Sequence, residues 1–180
     1  MSRPGVLVVF AGLPGVGKTA VSRRVADRLG ATFVRIDTVE SAIASTLHPF
    51  GDSPVGYVVA ARVAADQLRS GRPVIADAVN GLQIARDLWV DLAAECGAEL
   101  HWVEVVCTDP AEHRRRVESR TAEMPGHALP SWSEVIARAW EPFVEPRLVI
   151  DNLGDVEAQV ERVLIAIERG RPGTPSDDPM

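Results

Sequence analysis

Residues 6–19 of the chain read VLVVFAGLPGVGKT, and this stretch decides the fold. Its first five residues, Val6 to Phe10, form an unbroken apolar run, which is typical of a strand buried on both faces of a parallel sheet. A helix is predicted to begin near Gly17, because apolar residues recur four positions apart until Gly30 ends the pattern. A strand, a glycine-rich turn and a helix in this order predict a βα unit of an α/β fold.

The turn between the strand and the helix, residues 12–19, fits the pattern GxxxxGK[ST]. Glycines allow such a turn to direct its N–H groups inward, where they bind phosphates together with the helix N-terminus. Lys18 is predicted to contact the β- and γ-phosphates, and the Thr19 hydroxyl to bind Mg²⁺. The alternative is a glycine-rich turn with an exposed lysine. The residues predicted to bind ATP or GTP are Gly12, Leu13, Pro14, Gly15, Val16, Gly17, Lys18 and Thr19.

The rest of the chain alternates predicted strands and helices, which indicates βαβ units with helices on both faces of a parallel sheet. Further strands are predicted at 32–36, 73–76, 99–106 and 148–150. Ligands of such sheets bind beyond the carboxyl ends of the strands. We therefore expect one domain over residues 1–169, with a mobile lid at about 114–132 and a Pro- and Gly-rich flexible tail at 170–180.

Composition excludes several classes of protein. The chain has 180 residues with 46% hydrophobic and 24% charged residues, which suits one globular domain. The net charge of −6 makes a nucleic-acid partner unlikely without a local basic patch. No apolar run is long enough to span a bilayer, no signal-peptide pattern precedes the first strand, and no CxxC pair is present. We expect a cytoplasmic protein with no membrane association.

Two aspartates follow predicted strands and are candidates for chemistry at the same edge of the sheet. Asp77 ends the strand of residues 73–76, where a carboxylate can hold Mg²⁺ directly or through water. Asp37 ends the second predicted strand, where a carboxylate near the γ-phosphate can accept the proton of a substrate hydroxyl. Either aspartate could instead cap the helix that follows it.

Arginines precede the predicted lid, within the segment RRRVESR at 114–120. Arg116 and Arg120 are four residues apart and are predicted to share a helix face, from which they could neutralise a transferring phosphoryl group. Arg120 is also predicted to contact the nucleotide. Arg114 and Arg115 are better interpreted as a solvated basic face. The histidines, His113 among them, have no metal-ligand spacing and are predicted to be ordinary surface or strand residues.

The acceptor pocket is predicted to draw on residues between Asp37 and Arg62, and on Asn80 and Arg86. Glu40 is one helical turn beyond Asp37, so both carboxylates could face the pocket. An acidic lining would suit a neutral or cationic acceptor, such as a sugar, a nucleoside or an aminoglycoside-like compound. Trp132 lies at the edge of the predicted lid and is a candidate for substrate contact.

Four segments together resemble the small P-loop kinases. They are GLPGVGKT, RIDTVESAI, VIADAVNGLQIARDLWVDLA and VVCTDPAEHRRRVESR. They are most similar to the AAA-33 group, which is akin to chloramphenicol phosphotransferase, gluconate kinase, zeta toxins and polynucleotide kinase. The resemblance covers roughly residues 5–168 and implies a three-layer fold with a five-stranded parallel sheet in the order 2-3-1-4-5 and a small lid. It further implies that Asp37 is the base that acts on the acceptor, that Asp77 is the family's acidic residue after the third strand, and that Arg116 and Arg120 are the lid arginines.

These observations predict an ATP-dependent kinase that transfers the γ-phosphate to a hydroxyl group of a small molecule. Catalysis is assigned to Lys18, Asp37, Arg116 and Arg120, and metal binding to Thr19 and Asp77. A polynucleotide 5′-kinase is one alternative, which would need a basic groove. The other is a nucleotide-binding regulatory protein, which would need neither a base nor a lid.

Overall fold

The computed structural model of the protein describes residues 5–47, 53–121 and 129–170. Strands and helices alternate through this part of the chain, as predicted. The strands are β1 (Val6–Ala11), β2 (Thr32–Arg35), β3 (Val74–Asp77), β4 (Glu99–Val106) and β5 (Leu148–Asp151). The helices are α1 (Lys18–Leu29), α2 (Ile36–Leu47), α3 (Val55–Arg69), α4 (Gln83–Cys96), α5 (Pro110–Glu118), α6 (Trp132–Ile136) and α7 (Val156–Gly170).

The five strands form one parallel sheet in the order β2-β3-β1-β4-β5, which confirms the predicted order. The register places Phe10 and Arg35 on either side of Asp77. The carboxyl ends of the three strands on this side of the sheet therefore meet at one edge. A residue that follows any of them is close to residues that follow the other two.

The apolar run of β1 is explained by its position in the middle of the sheet. Leu7 and Val9 pack into a core with α3 and α4 on one face, and Val8 and Phe10 pack with α1 and α7 on the other. All four side chains are fully buried. Because both faces are covered, the strand does not show the apolar–polar alternation of a half-exposed sheet. Each buried side chain contributes about 1.5–3 kcal/mol to folding.

The structure corrects two local predictions. Strand β2 ends at Arg35, so Asp37 is in the first turn of α2 rather than at a strand end. Helix α5 ends at Glu118, so Arg120 follows the helix instead of sharing its face with Arg116. Residues 122–128 of the predicted lid and the predicted tail beyond Gly170 lie outside the described residues. Within the described ranges, every helix is too short or too polar to cross a membrane.

Candidate active site

The loop between β1 and α1 carries three glycines with positive φ, and a Cβ at any of them would clash with a neighbouring group. Gly15 has φ of +88°, and a Cβ there would overlap the side chain of Val117 in α5. Gly17 has φ of +92°, and a Cβ there would overlap the amide nitrogen of Asn152. A side chain at either position would meet both backbone strain and a clash. Helix α5 and the residue after β5 therefore hold the loop in place.

Helix α1 begins without a side-chain cap. Gly17 is its N-cap residue, it makes no side-chain hydrogen bond, and the first turn contains no acidic residue. The N–H groups of that turn are therefore not occupied by a side-chain cap, and the positive end of the helix dipole faces the cavity. A phosphate group is the ligand that such a helix start favours.

Lys18, Thr19 and Asp77 meet directly beside this helix start. The Thr19 hydroxyl donates a hydrogen bond to Asp77 Oδ2 at 2.7 Å, and Lys18 Nζ donates to the carbonyl of Leu13 at 3.3 Å. Burial lowers the pKa of Lys18, against the opposing effect of Asp77. Burial also raises the pKa of Asp77, although Lys18 and the Thr19 hydrogen bond act in the other direction. The lysine and the carboxylate thus compensate each other's charge in a site shielded from water.

The pair of Thr19 and Asp77 fits a magnesium ion. Both offer oxygen atoms, which Mg²⁺ prefers, and they are already within hydrogen-bond distance of each other. Magnesium in nucleotide sites is held by one or two such protein oxygens together with phosphate oxygens and water. Among the described residues, no group of three or more His, Cys, Asp or Glu side chains could hold a metal by itself. A metal here would accordingly be shared with the nucleotide.

Another part of the cavity wall is formed by residues at the end of β2 and at the start of α2. Arg35 Nη2 lies 3.4 Å from Asp37 Oδ2, and Asp37 is about one-third exposed toward the cavity. Glu40 follows one helical turn later and lines the same cavity. The side chain of Glu40 occupies the space that a Cβ on Gly56 of α3 would need. The glycine in α3 therefore makes room for this carboxylate.

Electrostatics distinguish this wall from ordinary surface. Burial raises the pKa of Glu40, and the neighbouring Asp37 raises it further. The hydroxyl of Tyr57 accepts a hydrogen bond from the backbone N–H of Asn80 at 3.3 Å, and burial raises the pKa of that phenol to about 12. Tyr57 thus remains a neutral hydroxyl behind the two carboxylates.

Arg116 and Arg120 both line the cavity although only the first is helical. Arg116 Nη1 donates to the carbonyl of Asn152 at 2.8 Å, and its Nε donates to Glu112 at 2.7 Å. Hydrogen bonds from Arg115 and Arg116 lower the pKa of Glu112 to about 2. Arg114 and Arg115 pair with glutamates on the exposed face of α5, in agreement with their interpretation as solvated residues.

These groups surround one open cavity of about 510 Å³. It brings together the phosphate loop, Asp37, Glu40 and the two arginines, which were predicted to share a site. The remaining lining residues are Ala20, Arg35, Val79, Leu129, Pro130, Glu134 and Arg138. Asp77 is buried beneath the cavity, behind Thr19.

Asn80 and Arg86 do not reach the cavity, so their assignment to the acceptor pocket is wrong. Asn80 is fully buried with φ of 50°, donates to the carbonyl of Phe10 at 2.8 Å and accepts from Trp89 Nε1 at 3.1 Å. Arg86 is also fully buried, donates to the carbonyls of Asn80 and Pro142, and stacks on Phe143. Both satisfy backbone carbonyls that would otherwise be buried without partners.

Arg62 does not reach the cavity either. Its side chain is 71% exposed on the outer face of α3, 4.0 Å from Glu95 of α4, where it borders a separate, smaller groove. The predicted segment from Asp37 to Arg62 thus supplies pocket residues from α2 but none from this face of α3. The helical periodicity of α3 places the side chain at position 62 on a face away from the cavity.

Two residues that contact the phosphate loop were not recognised from the sequence. Asn152 was missed, and His113 was interpreted as an ordinary surface or strand residue. His113 is buried, not on the surface, and its Nε2 lies 2.8 Å from the carbonyl oxygen of Pro14. Trp132, a candidate for substrate contact, packs its ring edge-on against His113 instead of lining the cavity. Asn152, which the sequence did not indicate, donates to the carbonyl of Val16 at 3.1 Å. Their separations of 99 and 136 residues from the loop leave no local pattern to detect.

Comparison with known proteins agrees with this fold. The AAA-33 family model, described as an AAA domain, matches residues 7–143. No curated protein matches the chain.

Solved structures with the same fold include two kinases and a protein in complex with ADP-AlF3. A gluconokinase from Sinorhizobium meliloti is 21% identical, with a TM-score of 0.62 and coverage of 94% of each chain. The Mycobacterium tuberculosis APS kinase CysC, in complex with AMPPNP and APS, is 20% identical, with a TM-score of 0.67 and coverage of 92% of this chain and 99% of that one. Chaetomium thermophilum Kti12, in complex with ADP-AlF3, is 20% identical, with a TM-score of 0.70 and coverage of 93% and 100%.

Proposed function

We propose that this chain, which belongs to the AAA-33 family, is an ATP-dependent kinase that transfers the γ-phosphate to a hydroxyl group of a small molecule. One observation carries the proposal. The carboxylate of Asp37 lines the same cavity as Lys18 and Thr19 of the phosphate loop. A nucleotide-binding protein without a second substrate does not need a carboxylate at that place.

The phosphate loop and Asp77 beneath it bind the nucleotide and its metal ion. The loop N–H groups and Lys18 bind the β- and γ-phosphates, as the helix start favours. Thr19 and Asp77 would hold Mg²⁺ together with the phosphate oxygens. When bound there, the metal withdraws negative charge from those oxygens.

Asp37 acts on the acceptor substrate. Its carboxylate accepts the proton of the acceptor hydroxyl while the hydroxyl oxygen forms a bond to the γ-phosphorus. The bond between the γ-phosphorus and the bridging oxygen breaks, and ADP leaves with that oxygen. Arg35, at 3.4 Å, holds the Asp37 carboxylate in a fixed orientation. Arg116 and Arg120 balance the charge of the transferring group.

The lining of the acceptor half indicates a hydroxyl-rich acceptor. The carboxylates of Asp37, Glu40 and Glu134 are balanced in part by Arg35 and Arg138, so the lining is of mixed charge and less acidic than the sequence suggested. Such a lining offers both acceptors and donors of hydrogen bonds, which suits a polyol, sugar or nucleoside. A sugar kinase activity would be consistent with this lining.

A transfer screen tests the proposal. The protein is incubated with Mg²⁺ and γ-³²P-labelled ATP in the presence of a panel of sugars, nucleosides, polyols and aminoglycosides. The Asp37→Asn protein serves as the blank, and the Lys18→Ala protein shows the background without a working phosphate loop. We expect a labelled product that depends on one compound class and is absent from both variants. Equal labelling by the wild-type and Asp37→Asn proteins would overturn the role of Asp37.

The two rival functions give different results in the same screen. A polynucleotide kinase would label a 5′-hydroxyl oligonucleotide in preference to every small molecule. A regulatory protein would bind ATP and release ADP slowly, with no dependence on any hydroxyl compound. The screen therefore includes an oligonucleotide and a sample without acceptor.

A further inference from the structure

Two carbonyl groups of the phosphate loop are held from outside the loop by buried side chains. The carbonyl of Pro14 contacts His113 Nε2 at 2.8 Å, and the carbonyl of Val16 accepts from Asn152 Nδ2 at 3.1 Å. His113 is 7% exposed and Asn152 is 4% exposed. Neither His113 nor Asn152 lines the cavity, and the mechanism above does not explain the two contacts.

The geometry of the peptide bond gives these contacts a consequence. The described peptide bonds are all trans. In a trans peptide the C=O of one residue and the N–H of the next point in opposite directions. A side chain that holds the carbonyl of Pro14 outward therefore directs the N–H of Gly15 inward, and Gly15 lines the cavity. The same relation connects the carbonyl of Val16 with the N–H of Gly17.

A glycine-rich loop needs such support, because glycine restricts the rotation of its peptide planes less than other residues do. Only an N–H that already faces the phosphate avoids the cost of reorienting it during binding. His113 is itself fixed, since its ring packs edge-on against Trp132 at 5.1 Å between ring centres. The carbonyl of Pro14 can only accept a hydrogen bond, so Nε2 of His113 must carry the proton.

We propose that His113 is a positioning residue for the nucleotide: it holds the Pro14–Gly15 peptide so that the Gly15 N–H points at a phosphate oxygen, as Asn152 does for Gly17. The proposal rests only on the first part of the proposed function, the binding of a triphosphate in the loop. It does not depend on which compound accepts the phosphoryl group.

Two substitutions at position 113 separate the hydrogen bond from the ring packing. His113→Gln keeps an N–H donor on a side chain of similar reach but removes the ring. His113→Phe keeps a ring against Trp132 but removes the donor. His101→Gln is the matched control, because His101 lies on β4 beside Glu99 and outside the cavity lining.

Binding is measured by calorimetry with ATP and with inorganic tripolyphosphate, which carries the phosphate groups without the nucleoside. We expect His113→Phe to weaken both ligands by the same factor, about tenfold, as the loss of one hydrogen bond predicts. His113→Gln and His101→Gln should bind both within about threefold of the wild type, a difference below 1 kcal/mol. Unchanged tripolyphosphate binding by His113→Phe overturns the proposal, and so does equal weakening by both variants at position 113.

A measurement on the wild-type protein covers the case in which a variant does not fold. Long-range ¹⁵N–¹H NMR of the histidine side chains reports which ring nitrogen is protonated, with His113 assigned through its contacts to Trp132. We expect a proton on Nε2; a neutral ring protonated only on Nδ1 overturns the proposal. If the wild-type protein fails to bind ATP, the proposed function is wrong, and the protonation of His113 still tests the contact to Pro14.

Discussion

The two walls of the cavity are built in different ways. The phosphate wall is a continuous loop whose backbone groups are proposed to bind phosphates, and buried residues from α5 and from the end of β5 support it. The acceptor wall consists of side chains from α2, from the end of β2 and from the segment around α6, and several of them are exposed. We expect the backbone groups to bind the phosphates, which all nucleoside triphosphates share. The side chains of the acceptor wall are expected to determine which second substrate binds.

This difference has a consequence for mutations. A change in the phosphate wall should alter nucleotide binding, and a change in the acceptor wall should alter transfer or acceptor binding while nucleotide binding stays the same. Three substitutions test that separation, and a fourth tests the ion pairs of Glu112.

The largest effect is expected from Asp37→Asn. The amide cannot accept the proton of the acceptor hydroxyl, so the transfer rate should fall by about 10² to 10⁴. The affinity for ATP should stay within about twofold, because Asp37 lies on the acceptor wall. Steady-state transfer and calorimetry measure the two quantities, with the exposed Asp27→Asn as control. An equally large loss of ATP affinity would contradict the separation of nucleotide binding from transfer.

Gly17→Ala is expected to have the next largest effect, on the phosphate wall alone. The added Cβ would overlap Asn152 and displace the Val16–Gly17 peptide. Loss of one charge-assisted hydrogen bond predicts about 10- to 100-fold weaker binding of ATP.

Gly30→Ala is the matched control for that change. Gly30 has φ of +59° but open space around its Cβ position. The substitution should cost about 1–2 kcal/mol of unfolding free energy through backbone strain and leave ATP affinity unchanged. Equal effects of the two substitutions on ATP affinity would show that backbone strain, and not the contact with Asn152, explains the need for glycine.

Glu40→Gln should act on the acceptor alone. The side chain lines the cavity one turn after Asp37, and its carboxylate is suited to accept hydrogen bonds from acceptor hydroxyls. Losing a hydrogen bond to a charged group predicts a rise of about tenfold in the KM for the acceptor, with the KM for ATP unchanged. Glu161→Gln, in a pair with Arg28 on the exposed face of α7, is the control. A change in the KM for ATP alone would contradict the placement of Glu40 on the acceptor wall.

The smallest effect is expected from Glu112→Gln, and it depends on pH. The folded-state pKa of Glu112 is about 2, below its ordinary value of 4.5, because Arg115 and Arg116 donate to it. A depressed carboxyl pKa stabilises the folded protein above pH 4.5, and this stabilisation is lost as the pH falls toward 2.

The melting temperature of the wild type should therefore exceed that of Glu112→Gln slightly at pH 7, and the two should converge between pH 4.5 and pH 2. Glu112 is exposed to water, so we expect a small difference. A difference that is the same at pH 2 and at pH 7 would contradict the ion pairs with the two arginines.

The phosphate wall was predictable because its residues are contiguous. Eight neighbouring residues carry the pattern, and the apolar run before them indicates the strand that positions it. Asp77 was predictable for a related reason, since a polar residue that ends an apolar strand is placed at the edge of the sheet. The strand order itself came from the resemblance to small P-loop kinases.

The acceptor wall was predictable only in part. Glu40 was found through its helical spacing from Asp37, but Arg138 comes from a segment after α6 with no pattern of its own. Asn80 was misassigned because a polar residue after a strand also suits a structural role. Its neighbour Gly81 makes Asn-Gly, a turn signal that agrees with the positive φ observed at Asn80. Residue type alone does not distinguish a polar residue that hydrogen-bonds to backbone carbonyls from one that binds a ligand.

We propose that the two walls act on one phosphoryl group. Phosphorus-31 NMR of the wild-type protein with Mg²⁺, ATP and the acceptor found in the screen measures the fate of that group directly. We predict that ADP and a new phosphomonoester appear in equal amounts, with little inorganic phosphate. ADP accompanied only by inorganic phosphate, at a rate that the acceptor does not change, would contradict the claim.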